Sequence, residues 1–321
     1  MSIPSGKCAS CGKLGDELKM CNGCKAVKYC SRDCQLAHRP EHKEACQKRA
    51  AELLDEKLFK QPPPPDDCPV CMLRLPQRKL TTYQVCCGKR LCNGCMMECS
   101  TSGGDVCPFC RENCNFSNKE AVRRTQLRMD AGDADAFTMM GGDFDAGDMG
   151  LPMDHAKAVE LYKRGAELGD ELGHYNLGCA YFEGLGVARS NKKAIHHWNL
   201  AAMKGHARSR YHLGATEMQK GNVERALKHF VIGAKMGDEE MLKAVASEGY
   251  KKGRMNQFEF MEVVRVHNAY NEEIKSEQRN KAVGFCAIDK AMASLLGREN
   301  WMSMSAKSPP ATAQQKANKK K

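Results

Sequence analysis

Eight residues near the start of the chain combine the side-chain types and the spacing that hold metal ions. They are seven cysteines and one histidine, in the order Cys8, Cys11, Cys21, Cys24, Cys30, Cys34, His42 and Cys46. Thiolate and imidazole groups are preferred ligands of Zn²⁺, and four of them complete a tetrahedral site, so eight are enough for two ions. A C-x2-C pair directs both sulfurs to one ion, whereas ligands four residues apart lie one helical turn apart on a short helix.

The spacing resembles the MYND zinc finger over residues 8–46. Tyr29 and Ser31 on either side of the fifth cysteine, and the run Pro40-Glu41-His42, add to the likeness. Arg39 stands where most family members have a tryptophan, a departure that concerns a usual surface contact and not the metal. The resemblance implies two cross-braced sites, one formed by Cys8, Cys11, Cys30 and Cys34 and the other by Cys21, Cys24, His42 and Cys46.

His38 competes with His42 as a ligand because the two lie one helical turn apart. We interpret His42 as the ligand and His38 as a surface residue. Leucines recur on one side of residues 44–60, which predicts a helix that extends the one carrying Cys46. The finger and this trailing helix together form a predicted module over residues 1–60.

Four consecutive prolines, residues 62–65, follow this module. Proline lacks a backbone N–H and favours an extended conformation, so we interpret residues 61–67 as a stiff linker. A docking site for a proline-binding domain is the alternative.

A second cluster combines three C-x2-C pairs with one adjacent pair: Cys68, Cys71, Cys86, Cys87, Cys92, Cys95, Cys107 and Cys110. It resembles an all-cysteine variant of the RING finger, and we place this RING-like module at residues 68–114. Lys89 stands where the common pattern has a ligand histidine, and an ammonium group is a poor zinc ligand. The resemblance implies one ion held by Cys68, Cys71, Cys92 and Cys95 and another held by Cys86, Cys87, Cys107 and Cys110.

The adjacent cysteines Cys86 and Cys87 can share one ion only if the peptide between them is bent. Cys99 and Cys114 are spare in this scheme, and replacement of Cys86 by one of them is the open alternative. The two modules would hold about four zinc ions in all.

Three residues of the RING-like module occupy positions that matter in RING ubiquitin ligases. There, such residues contact the ubiquitin-conjugating enzyme or stabilise the donor ubiquitin, and the resemblance places Val70, Pro108 and Arg111 at these positions. The alternative is that Val70 and Pro108 shape the zinc-binding turns and that Arg111 is a solvated cation.

Beyond a predicted connecting helix at residues 118–131, glycines mark a repeat: Gly132, Gly169, Gly205 and Gly237. A small residue follows each glycine at a fixed distance, and alanines alternate with an aromatic residue before the last three. Small residues let two helices cross closely and the aromatic ring fills the space beside them, which predicts helix hairpins stacked into a solenoid. The pattern resembles Sel-like repeats, a branch of the tetratricopeptide class, and we assign residues 118–253 to them.

The C-terminal part divides into predicted capping helices at residues 254–302 and a disordered basic tail at residues 303–321. The first capping helix is expected over residues 256–280, with Asn256 as its N-cap and His267 as a histidine at a buried edge. The fold class is thus small zinc-stabilised modules followed by an all-α helical-repeat solenoid.

The whole-chain composition limits the function classes. The formal charge of +11 assumes neutral thiols; four zinc ions add eight charges and fifteen thiolates remove fifteen, which leaves about +4. We therefore do not expect nucleic acid as a partner, beyond a weak signal in the lysine-rich tail. The chain has neither an apolar start nor an apolar run of membrane-spanning length, so we expect no membrane partner and an intracellular location, cytoplasmic or nuclear.

Saturated four-ligand zinc sites leave no position for water, so the metal would be structural and not catalytic. The sequence therefore predicts a scaffold or adaptor whose fingers and repeat groove each bind protein partners. The alternative is a RING-type ubiquitin ligase that recruits a conjugating enzyme and uses the repeats to recognise substrates. Any enzymatic role would then come from positioning two proteins.

Overall fold

The computed structural model describes residues 6–15, 17–76, 80–102, 104 and 106–282. The predictions for residues 283–302 and for the tail at residues 303–321 lie outside the described residues. The chain forms two compact units, one from Met1–Pro64 with Gly169–His267 and the other from Pro65–Leu168 with Asn268–Lys321.

The first unit begins with a small finger built on short elements. Two strands, β1 (Lys19–Met20) and β2 (Lys28–Tyr29), pair antiparallel and are followed by α1 (Arg32–Ala37) and α2 (Arg39–Leu58). The Ser31 hydroxyl accepts a hydrogen bond from the Cys34 backbone N–H at 3.2 Å and so begins α1. The predicted trailing helix is confirmed, and α2 carries both His42 and Cys46.

Helix hairpins follow in the first unit, together with a terminal helix. The elements are α7 (Glu171–Glu183), α8 (Asn191–Met203), α9 (Ala207–Gln219), α10 (Val223–Lys235), α11 (Glu239–Ala244), a π-helical segment (Val245–Tyr250) and α12 (Gln257–Glu273), of which residues up to His267 belong to this unit. Aspartates and serines begin several of them, as in α7, where the Asp170 carboxylate accepts from two backbone N–H groups.

The second unit contains another finger and the remaining helices. A hairpin of β3 (Thr81–Gln84) and β4 (Lys89–Cys92) leads into α3 (Asn93–Ser102), and then come α4 (Asn118–Asp130), α5 (Ala134–Ala146) and α6 (His155–Glu167). Helix α4 confirms the predicted connecting helix.

Small residues do allow the close helix crossings that the repeat pattern predicts. A Cβ atom added to Gly178 on α7 would lie 2.3 Å from the Trp198 ring on α8, which is too close for any side chain. The same arrangement pairs Gly214 with the Phe230 ring, at 2.4 Å. Each hairpin is thus fixed by a ring that fits only over a glycine.

The end of α2 belongs to the core of the first-unit repeats. Leu58 is fully buried in a cluster with Trp198 and neighbouring alanines. Arg210, also fully buried, donates to the carbonyls of Leu58 and Ala202, each at 3.0 Å. Those carbonyls lie at the C-terminal ends of α2 and α8, where the helix dipole favours a cation. The finger is therefore fixed to the repeats within this unit.

The proline run is not a fully solvated linker. Pro62 is buried, and its Cβ lies 3.6 Å from the position of a Cβ added to Gly205. The first part of the run therefore packs on the repeats of the first unit.

The expected continuous helix over residues 256–280 is wrong. Its cap is as predicted, since the Asn256 side chain accepts from the Glu259 N–H at 2.9 Å, but α12 ends at Glu273. The Ser276 hydroxyl accepts the Arg279 N–H at 3.1 Å and begins a new helical turn. The Ile274 carbonyl bonds the Arg279 guanidinium at 2.8 Å, which replaces a partner that a continuing helix would supply.

Candidate metal centres

The sixteen predicted ligands come together in four groups of four. Within each group, the sulfur and imidazole nitrogen atoms that could bind an ion all lie within 4.8 Å of one another. The groups are Cys8, Cys11, Cys30 and Cys34; Cys21, Cys24, His42 and Cys46; Cys68, Cys71, Cys92 and Cys95; and Cys86, Cys87, Cys107 and Cys110. These are the cross-braced sets implied by the resemblances.

The groups have the size of a zinc site. A tetrahedron with Zn–S bonds of about 2.3 Å has edges of about 3.8 Å between sulfurs. The Sγ–Sγ distance is 3.5 Å between Cys11 and Cys30 and 3.8 Å between Cys87 and Cys107. The chain is therefore compatible with about four zinc ions, and the donor set of thiolates with one imidazole suits zinc.

Four of the five C-x2-C pairs, all except Cys92 and Cys95, lie on turns that share one backbone geometry. In each, the residue after the second cysteine donates its N–H to the carbonyl of the first cysteine, as Met72 does to Cys68 at 2.8 Å. That residue must adopt a positive φ, which glycine tolerates best. The four residues are Gly12 (φ 74), Lys25 (φ 55), Met72 (φ 56) and Arg111 (φ 63).

This turn prepares the first cysteine of each pair as a thiolate. Backbone N–H groups of Cys11 and Cys30 lower the pKa of the Cys8 thiol to about 6. Burial raises the pKa of Cys107, but N–H groups of Cys110 and Phe109 outweigh it and bring the value to about 7. Hydrogen bonds with Cys11 and Cys34 instead raise the pKa of Cys30 to about 12. Such crowded sulfurs require the charge of a cation before all can ionise.

The adjacent cysteines lie on the tip of the β3–β4 hairpin. The N–H groups of Cys87 and Gly88 both donate to the Gln84 carbonyl, at 3.2 and 2.7 Å, and Gly88 has a φ of 69°. From α4, Arg128 donates to the Cys86 carbonyl at 2.6 Å. The peptide is therefore bent as a shared ion requires.

The spare cysteines lie outside the four groups among the described residues. The Cys114 thiol points to the Gln84 side-chain oxygen at 3.6 Å, and Cys99 on α3 is partly buried. The alternative in which one of them replaces Cys86 is not the arrangement in this structure. Lys89 is also no ligand, since its ammonium lies 5.5 Å from the centre of the Phe109 ring.

The prediction of His38 as a surface residue is wrong. Its side chain is only 21% exposed, and its Nδ1 lies 3.0 Å from the Tyr29 hydroxyl. Tyr29 is buried, so its hydroxyl needs a partner, which His38 supplies. The His38 ring also stacks on the ring of His42, with centroids 5.4 Å apart, and so helps to orient the predicted ligand.

The three residues singled out by the RING resemblance lie on zinc-binding turns. Val70 is 40% exposed and Pro108 is partly buried. Arg111 is exposed and occupies the positive-φ position of the last turn. Its identity therefore affects the backbone as well as the surface charge.

Arginines distant in sequence support the fingers, and no local pattern reveals them. Arg128 bonds the hairpin tip, Arg210 bonds the end of α2, and Arg279 bonds the turn after Cys71. Only the resulting structure brings them to these carbonyls.

Each group offers four protein ligands, so a bound zinc ion would be coordinatively complete and would fix the backbone without activating water. Among the described residues, no helix is both long enough and apolar enough to span a membrane.

Comparison with family models identifies two of the modules. The MYND finger model matches residues 8–46. The Sel1 repeat model matches residues 139–170, 172–206 and 207–238.

Individual relatives share only parts of the chain. An F-box protein of Arabidopsis thaliana is 45% identical over 58 residues, which span 18% of this chain and 16% of that protein. A Sel1 repeat protein from Oxalobacter formigenes is 22% identical and covers 55% of this chain and 71% of its own, with a TM-score of 0.42. A protective antigen of uropathogenic Escherichia coli with an SLR fold is 18% identical and covers 68% of this chain and 48% of its own, with a TM-score of 0.38.

The family-model matches and the four ligand groups agree with the sequence predictions of fold class and of zinc as cofactor. The chain carries a MYND finger and three Sel1 repeats, in a fold of cysteine-rich, zinc-compatible modules followed by an all-helical repeat solenoid.

Proposed function

We propose that this protein is a zinc-dependent scaffold that holds protein partners on its MYND finger and on its repeats. The observation that carries the proposal is the closed composition of the four ligand groups, which makes the metal a support for surfaces. MYND fingers and Sel1 repeats are in general protein-interaction modules.

The MYND finger offers apolar side chains to a partner. Leu14 is 72% exposed, Leu36 51% and Met20 50%, although the finger is small. These side chains offer a protein partner apolar area that binding would bury.

The repeats of the first unit offer partly exposed aromatic groups and one exposed cation on α7, on α9 and at the N-cap of α9. We call this set the α7–α9 surface: Tyr175, His206, Arg208 and Tyr211. The Tyr175 and His206 rings lie 4.4 Å apart, and the Arg208 guanidinium lies 5.0 Å from the centre of the Tyr211 ring. Tyrosine and arginine are enriched at protein interfaces. Because Arg208 already pairs with Glu240 at 2.9 Å, this surface suits a segment with aromatic side chains.

The test uses the full chain, because Leu58 packs in the repeat core and an isolated repeat fragment would lose that contact. Zinc-loaded protein and the variants Met20→Glu and Arg208→Glu are compared by proximity labelling in cells. Arg265→Glu on α12 is the matched control, since Arg265 is 68% exposed.

We expect distinct sets of labelled proteins to decrease at least about tenfold with each surface variant and to persist with Arg265→Glu. Labelling that never exceeds background, or that is identical in all four proteins, would contradict the scaffold.

A RING-type ubiquitin ligase is the second candidate. It is favoured by the exposed Val70 on the first turn of a cross-braced module, together with the cation of Arg111 after the last ligand. Ubiquitin transfer would then come from positioning a conjugating enzyme that carries ubiquitin.

Arg111 allows the two explanations of its role to be separated. Arg111→Gly removes both the cation and the strain of a side chain at positive φ. Arg111→Lys keeps the cation and keeps a residue with a Cβ at that positive φ. In autoubiquitination assays with a panel of conjugating enzymes, a ligase should lose activity with Arg111→Gly and with Val70→Ala while Arg111→Lys retains part. A wild-type protein that is silent across the panel would rule the ligase out.

A further inference from the structure

The short helical turn after Ser276 lies against the RING-like finger within the second unit. Arg279 is its central contact and is only 6% exposed. Its guanidinium donates to the Arg74 carbonyl at 2.8 Å and to the Leu73 carbonyl at 3.2 Å. These carbonyls belong to the turn that follows the ligand Cys71.

The same guanidinium reaches a predicted zinc ligand directly. Its Nη2 lies 3.4 Å from the Cys71 sulfur, which is within hydrogen-bond distance for an N–H donor to sulfur. A zinc ion with four thiolates carries a net charge of about −2, which is costly in a buried site. A buried arginine beside such a site offsets part of that charge and occupies a sulfur lone pair.

We infer that residues 276–282 are a working part of the RING-like finger and that Arg279 is a positioning residue for the Cys68–Cys71–Cys92–Cys95 site. It holds the Cys71 thiolate and lowers the reactivity of its sulfur toward electrophiles. Arg279 supplies this cation from 208 positions further along the chain.

A second observation supports the docking independently of charge. Gly94, between the ligands Cys92 and Cys95, faces the segment so closely that a Cβ there would lie 2.6 Å from the Arg279 backbone nitrogen. At the edge of the same contact, Arg74 pairs with Glu273 at 2.7 Å. The finger has a glycine where the segment requires one.

The contact leaves part of the first zinc-binding turn accessible. Val70 and Met72 remain 40% and 70% exposed, so the segment does not cover the residues that a conjugating enzyme would use. The role of Arg279 at Cys71 can therefore be tested independently of ubiquitin ligase activity.

The test follows zinc release and cysteine reactivity in the zinc-loaded full chain. Arg279→Met removes charge and donors, Arg279→Lys keeps the charge but loses the planar fork, and Lys281→Met is the matched control. Lys281 lies in the same turn, is 59% exposed and pairs with Glu277. Release is timed with a chromogenic chelator, and alkylation of each cysteine is timed by peptide mass spectrometry.

In Arg279→Met, we expect one zinc ion to be released and Cys71 to be alkylated at least about tenfold faster than in the wild type. Both rates in Arg279→Lys should lie between those of Arg279→Met and the wild type. The MYND cysteines, in the same sample, should react at unchanged rates. An unchanged rate at Cys71, or an equal acceleration by Lys281→Met, would overturn the inference.

Gly94→Ala tests the docking if Arg279→Met does not fold. Alanine favours helix over glycine, so this change alone should stabilise α3. If the segment is displaced as inferred, Cys71 alkylation accelerates several-fold despite that gain. If Cys71 alkylation in Gly94→Ala matches the wild type, the segment has no such role.

Discussion

The MYND finger and the repeats of the first unit keep their shapes by different means. The buried set of the finger consists of Cys8, Cys21, Cys24 and Tyr29, so sulfur fills most of its interior. The repeat core around Trp198 contains alanines, leucines and a tyrosine in direct contact. The first region lacks the apolar side chains that fold a domain, whereas the second has them in periodic order.

The difference shows where each region is vulnerable. Binding of a structural zinc ion supplies about 10 to 16 kcal/mol in small fingers, which takes the place of a core. The repeats gain their stability from rings seated over glycines, where one added methyl group is enough to cause a clash. Metal removal should therefore unfold one region and overpacking should unfold the other.

The largest expected effect is loss of a metal ligand. Cys68→Ser should remove one zinc ion and unfold the RING-like finger, at a cost on the order of 10 kcal/mol of binding free energy. Cys99→Ser, at a cysteine outside the four groups, is the control and should keep all the zinc. Native mass spectrometry counts the ions, and equal counts in both variants would refute the ligand assignment.

Overpacking a repeat should have the next largest effect. Gly178→Ala places a methyl group 2.3 Å from the Trp198 ring and should lower the free energy of unfolding of the first unit by about 1 to 3 kcal/mol. Gly142→Ala on α5, a repeat helix of the second unit, is the comparison variant, because a Cβ there meets nothing within 4 Å and alanine favours the helix by about 0.5 to 1 kcal/mol. Urea unfolding measures the free energy of unfolding of both variants against the wild type. A Gly178→Ala protein as stable as the wild type would show that the Trp198 ring does not require a glycine beneath it.

The repeats also contain a histidine that should make their stability depend on pH. Burial lowers the pKa of His229 to about 3, whereas an unfolded histidine titrates near 6.5. The unfolded state therefore binds a proton that the folded state refuses, so this contribution is complete above pH 6.5 and is lost as the pH falls. We expect a loss of about 1.4 kcal/mol per pH unit below 6.5.

His229→Gln separates this effect from acid release of zinc. The variant should lose stability less steeply between pH 6.5 and 5.5 than the wild type does, with zinc in excess in both. If the urea midpoints of the two proteins fall equally with pH across that interval, His229 does not titrate as expected.

The smallest effect is expected in the zinc-binding turns themselves. Met72 adopts a φ of 56° and its side chain is 70% exposed, so Met72→Gly should stabilise the zinc-loaded finger by about 0.5 to 1 kcal/mol. Gly12→Ala, at the equivalent position of the MYND finger, should destabilise by about 1 kcal/mol. Thermal melting of the two variants checks the opposite signs.

The resemblances to the two finger types were enough to predict the ligand groups, and the repeat pattern was enough to predict close helix crossings at small residues. Cysteine spacing fixes which sulfurs a turn can direct to one ion, and the repeat period places a small residue at the same point of each hairpin. The same reasoning missed the break after Glu273, although Ser276 provides a cap signal there. It also missed the bond between Tyr29 and His38, because a histidine near a ligand gives no sign of what it bonds.

The contacts of Arg210 and Arg279 could not be predicted at all. Arg210 bonds a carbonyl 152 residues away, and carbonyl groups carry no sequence signal. Such contacts depend on how complete elements pack, which side-chain periodicity does not specify.

Hydrogen–deuterium exchange of the full chain, with zinc bound and after treatment with a chelator, shows whether metal alone keeps the fingers folded. We expect chelation to remove amide protection from residues 8–46 and 68–110 while the cores of α7 to α10 stay protected. Fingers that remain protected without metal would show that zinc does not hold them.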